Sequence, residues 1–294
     1  MKGSRFSRRE FLKITGISAF ETLLLSSIGL GSNLYLNNSD MIRPPARKNG
    51  KILVDLHAHV SSNLKKDEIL DLLCEGVTGL ASIYNRSYLG YDDVVQAGFS
   101  EVKEIDKGLF AEISYNGKTG YLIKVQEVMA DHHILAVACE EKIDDYREPE
   151  KAIEEIKNKG GLEVLCHPGI IDSRKEKFKW RLANTDEQKR IKYLCEKVRV
   201  IETFSAFCND FSPVINFTKV NKWGKELAAE YNLIGIAVSD AHYGLDQPRL
   251  SGIYISEDYL SAQGIKKAVL KNDFERFEKY TSRRSVLKGL FLKK

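Results

Sequence analysis

From Lys51 to about residue 272 the chain alternates short apolar runs with amphipathic stretches of helical period. β-Branched runs bounded by turn residues predict strands near 51–57, 78–83, 121–129, 133–138, 162–166, 198–204, 234–239 and 252–256. Apolar residues recurring every three or four positions predict helices near 65–75, 148–159, 186–197, 216–231 and 260–271. Strand followed by helix, repeated, is the rhythm of an α/β protein with a mostly parallel sheet or barrel. One interruption is visible: "SYNGKTGY" sets Asn-Gly between two β-rich runs, a hairpin signal. No repeat of solenoid period occurs.

Composition narrows this only a little. The 294 residues suit a single α/β barrel with extensions. Hydrophobic residues make up 43% and charged residues 29%, as in ordinary globular chains. The net charge of +4 is mild, and its basic residues gather at the two ends. Without a basic patch interleaved with aromatics, no nucleic acid partner is expected. The five cysteines lack Cys-x-x-Cys spacing and mostly sit among apolar residues, so buried free thiols are expected rather than disulfides.

The chemistry gathers at strand tips. In "KILVDLHAHV" strand alternation puts Asp55, His57 and His59 on one face. Three aligned polar groups ending an apolar strand favour metal binding over a satisfied core histidine. The other histidines fall at similar places. "ADHHILAVAC" starts a strand with His132 and His133, "LEVLCHPGI" ends one with His167, and "IGIAVSDAHYG" ends one with Asp240 and His242. Glu202 closes "RVIETFSAF", and Glu127 stands six residues before His133. Polar groups converging on one end of successive strands are what an active site on an α/β barrel requires.

Taken in order, "DLHAH", "QEV" with "HHILA", "CHP" and "SDAH" resemble the PHP (polymerase and histidinol phosphatase) domain over residues 51–272. The resemblance implies a distorted seven-stranded, TIM-like β/α barrel. It also implies a cluster of divalent ions (zinc, manganese or iron) and metal-dependent phosphoesterase activity. Carried over by position, His57, His59 and Asp240 would bind one cation, and Glu127 would bridge to a second held by His133 and His167. Asp55 and Glu202 would orient these ligands, and His132 is read as structural. Glu112, in "AEISY", is a rival for the bridging place.

One departure stands out. Where family members carry Thr-Asp-His after the second strand, this chain has Ile83, Tyr84 and Asn85, and the further histidine after the first motif is absent. Asn is a poor ligand for a transition metal, so two firmly held ions and a lost or weak third site are expected. His242 and Tyr84 then face the substrate, and Arg86 is placed for a bidentate phosphate contact. The implied reaction is hydrolysis of a small phosphomonoester or nucleotide by water activated between two cations. Asp240 or His242 would handle the proton. Two other readings stay open: a catalytically degenerate, metal-bearing binding domain, kept alive by the missing Asp-His, and an amidohydrolase-type barrel, which "SDAH" and Glu127 disfavour.

Outside the 51–272 domain, "SRREFLK" followed by a mostly apolar run to about Leu36 resembles a twin-arginine export signal. That implies the export machinery as a partner, folding before translocation, and an extracytoplasmic location. The run is roughly long enough to span a bilayer, and no Ala-x-Ala-like site follows it, so cleavage and retention as an anchor are both open. Residues 1–50 are thus read as signal and connector, and 273–294 as a basic tail that an anionic membrane surface would attract.

Overall fold

A computed structural model describes residues 43–83, 88–145, 148–172, 180–208, 217–242 and 247–281. The readings of the export signal, of Tyr84, Asn85 and Arg86, and of the basic stretch after residue 281 lie outside these residues.

In chain order the elements are β1 (Arg47–Lys48), β2 (Lys51–Ala58), α1 (Lys66–Leu73), β3 (Gly76–Ser82), α2 (Tyr91–Gln96), β4 (Val102–Asp106), β5 (Phe110–Tyr115) and β6 (Lys118–Val128). There follow β7 (Ile134–Val137), α3 (Pro149–Asn158), β8 (Leu162–Leu165), β9 (Ile170–Asp172), β10 (Trp180–Leu182), α4 (Thr185–Cys195) and β11 (Val200–Ser205). The last are α5 (Thr218–Glu230), β12 (Ile234–Val238), β13 (Gly252–Ser256), α6 (Ala262–Leu270) and β14 (Glu275–Phe277).

The main sheet runs β12-β11-β8-β7-β6-β3-β2-β13-β14. Beyond β12 the chain meets β2 again through a parallel bridge between Ala58 and Ala241. Two short bonds fasten that seam, Asp240 N–H to His57 O at 2.7 Å and His59 N–H to Ala241 O at 2.8 Å. Seven strands, β2, β3, β6, β7, β8, β11 and β12, thus close a distorted TIM-like barrel. Six run the same way, while β7 is antiparallel to both neighbours. Strand β13 also runs antiparallel, along the first half of β2 from Val54 to Lys51.

The predicted strands and helices appear within a few residues of their expected bounds, but the sheet is more mixed than the βα rhythm implies. The chain passes from β6 to β7 by a short turn, which leaves no room for the crossover helix that parallel neighbours need. The Asn-Gly hairpin is present: Tyr115 pairs with Lys118, and Asn116 and Gly117 take φ of 50° and 72°, the paired positive values of a tight hairpin turn. The additional strand β5 pairs with β6 there, and β4 pairs in turn with β5. Packing also reaches past both expected domain limits. Strand β1 pairs with β2 ahead of residue 51, and β14 pairs with β13 after residue 272.

The lumen is filled by apolar side chains such as Ile52, Val54, Val77, Ile123, Val137, Val164, Val200 and Ile236. Helix α6 seals the end where these strands start, adding Ala262, Ile265, Ala268 and Val269. Helices pack outside with the usual one-sided burial; α3, for instance, buries Ala152, Ile153 and Ile156. The end left for chemistry is therefore the opposite one.

Gly120 marks a close approach on β6. A methyl group there would run into the Leu73 carbonyl and the Glu75 amide, both backbone atoms that cannot swing aside. We expect Gly120→Ala to cost about 3 kcal/mol or more, read as a lower urea midpoint with the slope unchanged.

Candidate metal centre

Each ligand candidate reaches the open end of the barrel for a local reason. Strand β2 carries His57 and, just past its end, His59, but its register against β3 shifts between Asp55 and Ala58. That bulge breaks the simple alternation expected from sequence, so Asp55 keeps different company from the two imidazoles. Its carboxylate accepts from Ser239 N–H (3.0 Å), Ser239 Oγ (2.5 Å), Arg249 N–H (2.8 Å) and His57 N–H (3.3 Å). It holds the backbone on both sides of the seam and belongs to none of the candidate ligand groups. Glu127 stands near the end of β6. His133 enters from the N-terminal end of the antiparallel β7, not from a strand's C-terminal tip as the other groups do. His167 follows β8, and Asp240 follows β12 with φ of 50°, a left-handed backbone that a short polar residue tolerates.

Buried at this end, His57, His59 and Asp240 form one group, and Glu127, His133 and His167 another. In the first, His57 Nε2 lies 3.0 Å from His59 Nε2, and Asp240 Oδ1 lies 3.6 and 3.7 Å from them. In the second, Glu127 Oε1 is 2.6 Å from His133 Nδ1 and 3.4 Å from His167 Nε2. Glu127 also faces the first group, its Oε2 lying 3.3 Å from His59 and its Oε1 3.8 Å from His57. It belongs to the second group and reaches the first.

The donor set fits a cation on its own chemistry. His57 Nδ1–H donates to Glu202 at 2.7 Å, and His59 Nδ1–H to the Ala81 carbonyl at 2.8 Å. With both Nδ1–H groups spent, the two Nε2 lone pairs confront each other at 3.0 Å, which only a shared proton or a metal relieves. Asp240 Oδ1 is buried without a hydrogen-bond partner, which is costly unless a cation meets it. Ligands 2.0–2.1 Å from a tetrahedral ion stand about 3.3 Å apart, and the first group brackets that spacing.

Charge tells the same story. Burial opposes a proton on His57, but Glu202, Asp240 and Glu127 outweigh it and push its pKa up to about 10. Burial likewise opposes ionisation of Glu127, yet His133, His167 and His59 hold its carboxyl well below the usual range. For Asp240 burial wins and raises the pKa, against the pull of His57 and His167. The pocket is built to hold positive charge.

Glu202 Oε1 accepts the His57 Nδ1–H bond and Oε2 accepts His167 N–H, each at 2.7 Å. It fixes one imidazole's tautomer and the other's backbone, as carboxylates behind metal-bound histidines do. Cys166 forms a third possible ligand group with His57 and Glu202, and burial pushes its thiol well above the ordinary range. His242 donates Nδ1–H to the Asp240 carbonyl at 2.8 Å. Burial and the neighbouring His59 push its pKa well down. Both causes disfavour the charged form of the ring. His132 is buried, and that burial takes its pKa down to about 4. Glu112, the rival bridging residue, sits opposite Lys103 in the side hairpin.

Several neighbours gave no signal in the sequence. Tyr88 and Phe207 lie half-buried at the mouth, their rings 5.1 Å from His59 and 4.9 Å from His242. Ser205 Oγ donates to Asp240 Oδ2 at 3.3 Å. Ser239 was visible only as part of "SDAH", and Arg249, fully buried between Thr78 Oγ1 and the Leu72 carbonyl, stands in a loop without pattern.

No family model and no curated protein matches this chain. Solved structures do resemble it. PsfC from Pseudomonas syringae is 13% identical, with 82% of this chain and 97% of PsfC covered at a TM-score of 0.51. A two-domain Bacteroides vulgatus protein, described as containing a predicted PHP-like metal-dependent phosphoesterase, is 17% identical over 85% of this chain and 73% of its own, at 0.47. The lesion-specific endonuclease EndoQ from Pyrococcus furiosus is 15% identical over 75% and 56%, at 0.44. At this level of identity the likeness to PsfC is one of fold: an α/β, TIM-like barrel.

Because Glu202, Asp240 and Glu127 push the His57 pKa up to about 10, a cation at Nε2 would compete with a proton there. We expect zinc or manganese binding to release at least one proton and to tighten as pH rises from 6 to 8. Calorimetry in buffers of different ionisation enthalpy measures both effects.

Proposed function

We propose that this protein is a metal-dependent phosphoesterase that hydrolyses a small phosphomonoester or nucleotide-type substrate outside the cytoplasm. The observation that carries the reading is the pair of buried triads, with Glu127 of the second within reach of the first. A mixed imidazole and carboxylate set of this kind suits zinc, manganese or iron. His57, His59 and Asp240 would hold one ion, His133 and His167 another, with Glu127 shared. Bound there, divalent ions supply Lewis acidity toward a phosphoryl oxygen and lower the pKa of water.

The chain's own residues do the rest. Glu202 keeps the His57 Nε2 lone pair turned toward the centre, and Ala81 O does the same for His59. Ser205 and the seam hold Asp240 facing both imidazoles. His242, whose Nδ1–H is held by the Asp240 carbonyl, lies beside the first group without belonging to it and is assigned to the proton on that placement. Arg86 is assigned to the substrate phosphate on its place in the sequence. Export by the twin-arginine route rests on "SRREFLK" and the apolar run after it.

The test is elemental analysis of protein folded with metal, followed by a panel of phosphoesters, amides and lactones. We expect hydrolysis of phosphoesters that chelation abolishes. Glu127→Gln and Asp240→Asn should each lose at least about 100-fold along with bound metal. Glu202→Gln should lose a smaller, roughly 10–100-fold share. Bound metal with no phosphoester cleaved would overturn the enzyme in favour of a binding domain, and cleavage of amides alone would favour an amidohydrolase.

A further inference from the structure

The end of the barrel away from the metal centre carries a second polar feature that this chemistry does not use. Between the turn into β8, the residue before β11 and the outer side of α6 lies a cleft of about 430 Å³. Its lining includes five cationic side chains, Lys157, Arg199, Lys266, Lys267 and Lys271, together with Gln263. The carboxylate of Glu163 is fully buried beside it and is shared by Arg199 (3.2 Å) and Lys157 (3.6 Å). Lys266 is only 8% exposed and donates to the Gly160 carbonyl at 2.6 Å. Among the described residues neither it nor Lys267 nor Lys271 forms an ion pair. Asp106 and Glu140 act on Lys266 only electrostatically. Among the described residues Glu163 is the one carboxylate paired with any of these five cations, so they outnumber the acidic groups bonded to them.

Holding an ammonium at 8% exposure with a carbonyl as its partner costs free energy. The apolar side of α6 does not require it, because Ala262, Ile265, Ala268 and Val269 already seal the barrel. A multivalent anion in the cleft would satisfy the surplus.

We infer that this basal cleft is a binding site for a phosphate group, distinct from the metal centre. Two sources share that chemistry: the headgroups of an anionic bilayer and a soluble phosphate. The bilayer fits the surroundings better. Leu270, 37% exposed, stands between Lys267 and Lys271 on the same outer side, an apolar contact among cations as on helices that lie on membranes. The apolar N-terminal run is joined to the fold through β1, which pairs with the start of β2 at this same end. A bilayer contacted here would leave the metal centre opening away from it.

The test uses the full chain and the variant Lys267→Gln with Lys271→Gln, both exposed and far from the ligands. As a control, Lys219→Gln with Lys222→Gln removes the same charge from α5. Unchanged metal content shows that both variants fold. Affinity is measured for vesicles of phosphatidylglycerol and phosphatidylcholine, for pure phosphatidylcholine vesicles, and for inorganic pyrophosphate. Each near-surface lysine contributes about fivefold toward an anionic membrane, so the α6 pair should weaken phosphatidylglycerol binding roughly 25-fold and the α5 pair much less. Loss of pyrophosphate binding in the α6 pair, without vesicle binding by either protein, would support the site and assign it to a soluble phosphate. Equal weakening by the two pairs, vesicle binding that neither changes, or no binding of either probe would overturn the proposal.

Discussion

The two backbone hydrogen bonds of the seam, Asp240 to His57 and Ala241 to His59, are the constraint on which the centre depends. Each joins a residue of one ligand segment to the other, so barrel closure and ligand placement are a single event. Asp55 reinforces the join from behind, bonding Ser239, 184 residues away in the chain, and the Arg249 amide. Three polar contacts of a fully buried carboxylate are thus spent on backbone rather than on substrate. The site is rigid because its ligands are part of the fold's own fastening.

That rigidity concentrates like charges. Glu127, Glu202 and Asp240 are buried within reach of the same imidazoles, at a density that water would ordinarily relieve. The imidazoles divide the work by which ring nitrogen is occupied. His57, His59 and His242 all spend Nδ1 on a protein oxygen, which leaves Nε2 as the reactive face. Three donations to three different acceptors turn flexible rings into fixed donors, the arrangement that raises ligand basicity and removes the entropy of orienting them.

Much of this was legible in the sequence, because apolar periodicity and the strand-tip motifs are local signals. The runs ending in "DLHAH", "CHP" and "SDAH" gave strands, their ends and the polar groups together. What was not legible is set by contacts distant in sequence. Alternation put Asp55 with His57 and His59, and only the bulge opposite β3 separates them. The antiparallel course of β7 follows from a short turn after β6 whose length, not composition, decides direction. Arg249 lies in a loop, and its burial depends on Thr78 and the end of α1. Tyr88 and Phe207 read as ordinary aromatics until the barrel sets them over the imidazoles.

The reversed strand has a further implication for assembly. Glu127 and His133 are six residues apart on one hairpin, so two of the six ligand candidates are encoded locally and can come together as soon as β6 and β7 pair. His57 and Asp240 come from opposite ends of the domain and meet only at the last closure. The nascent chain therefore has a short-range clasp before it has a complete cage, and tight capture of an ion becomes a report that the whole circuit of strands has been completed.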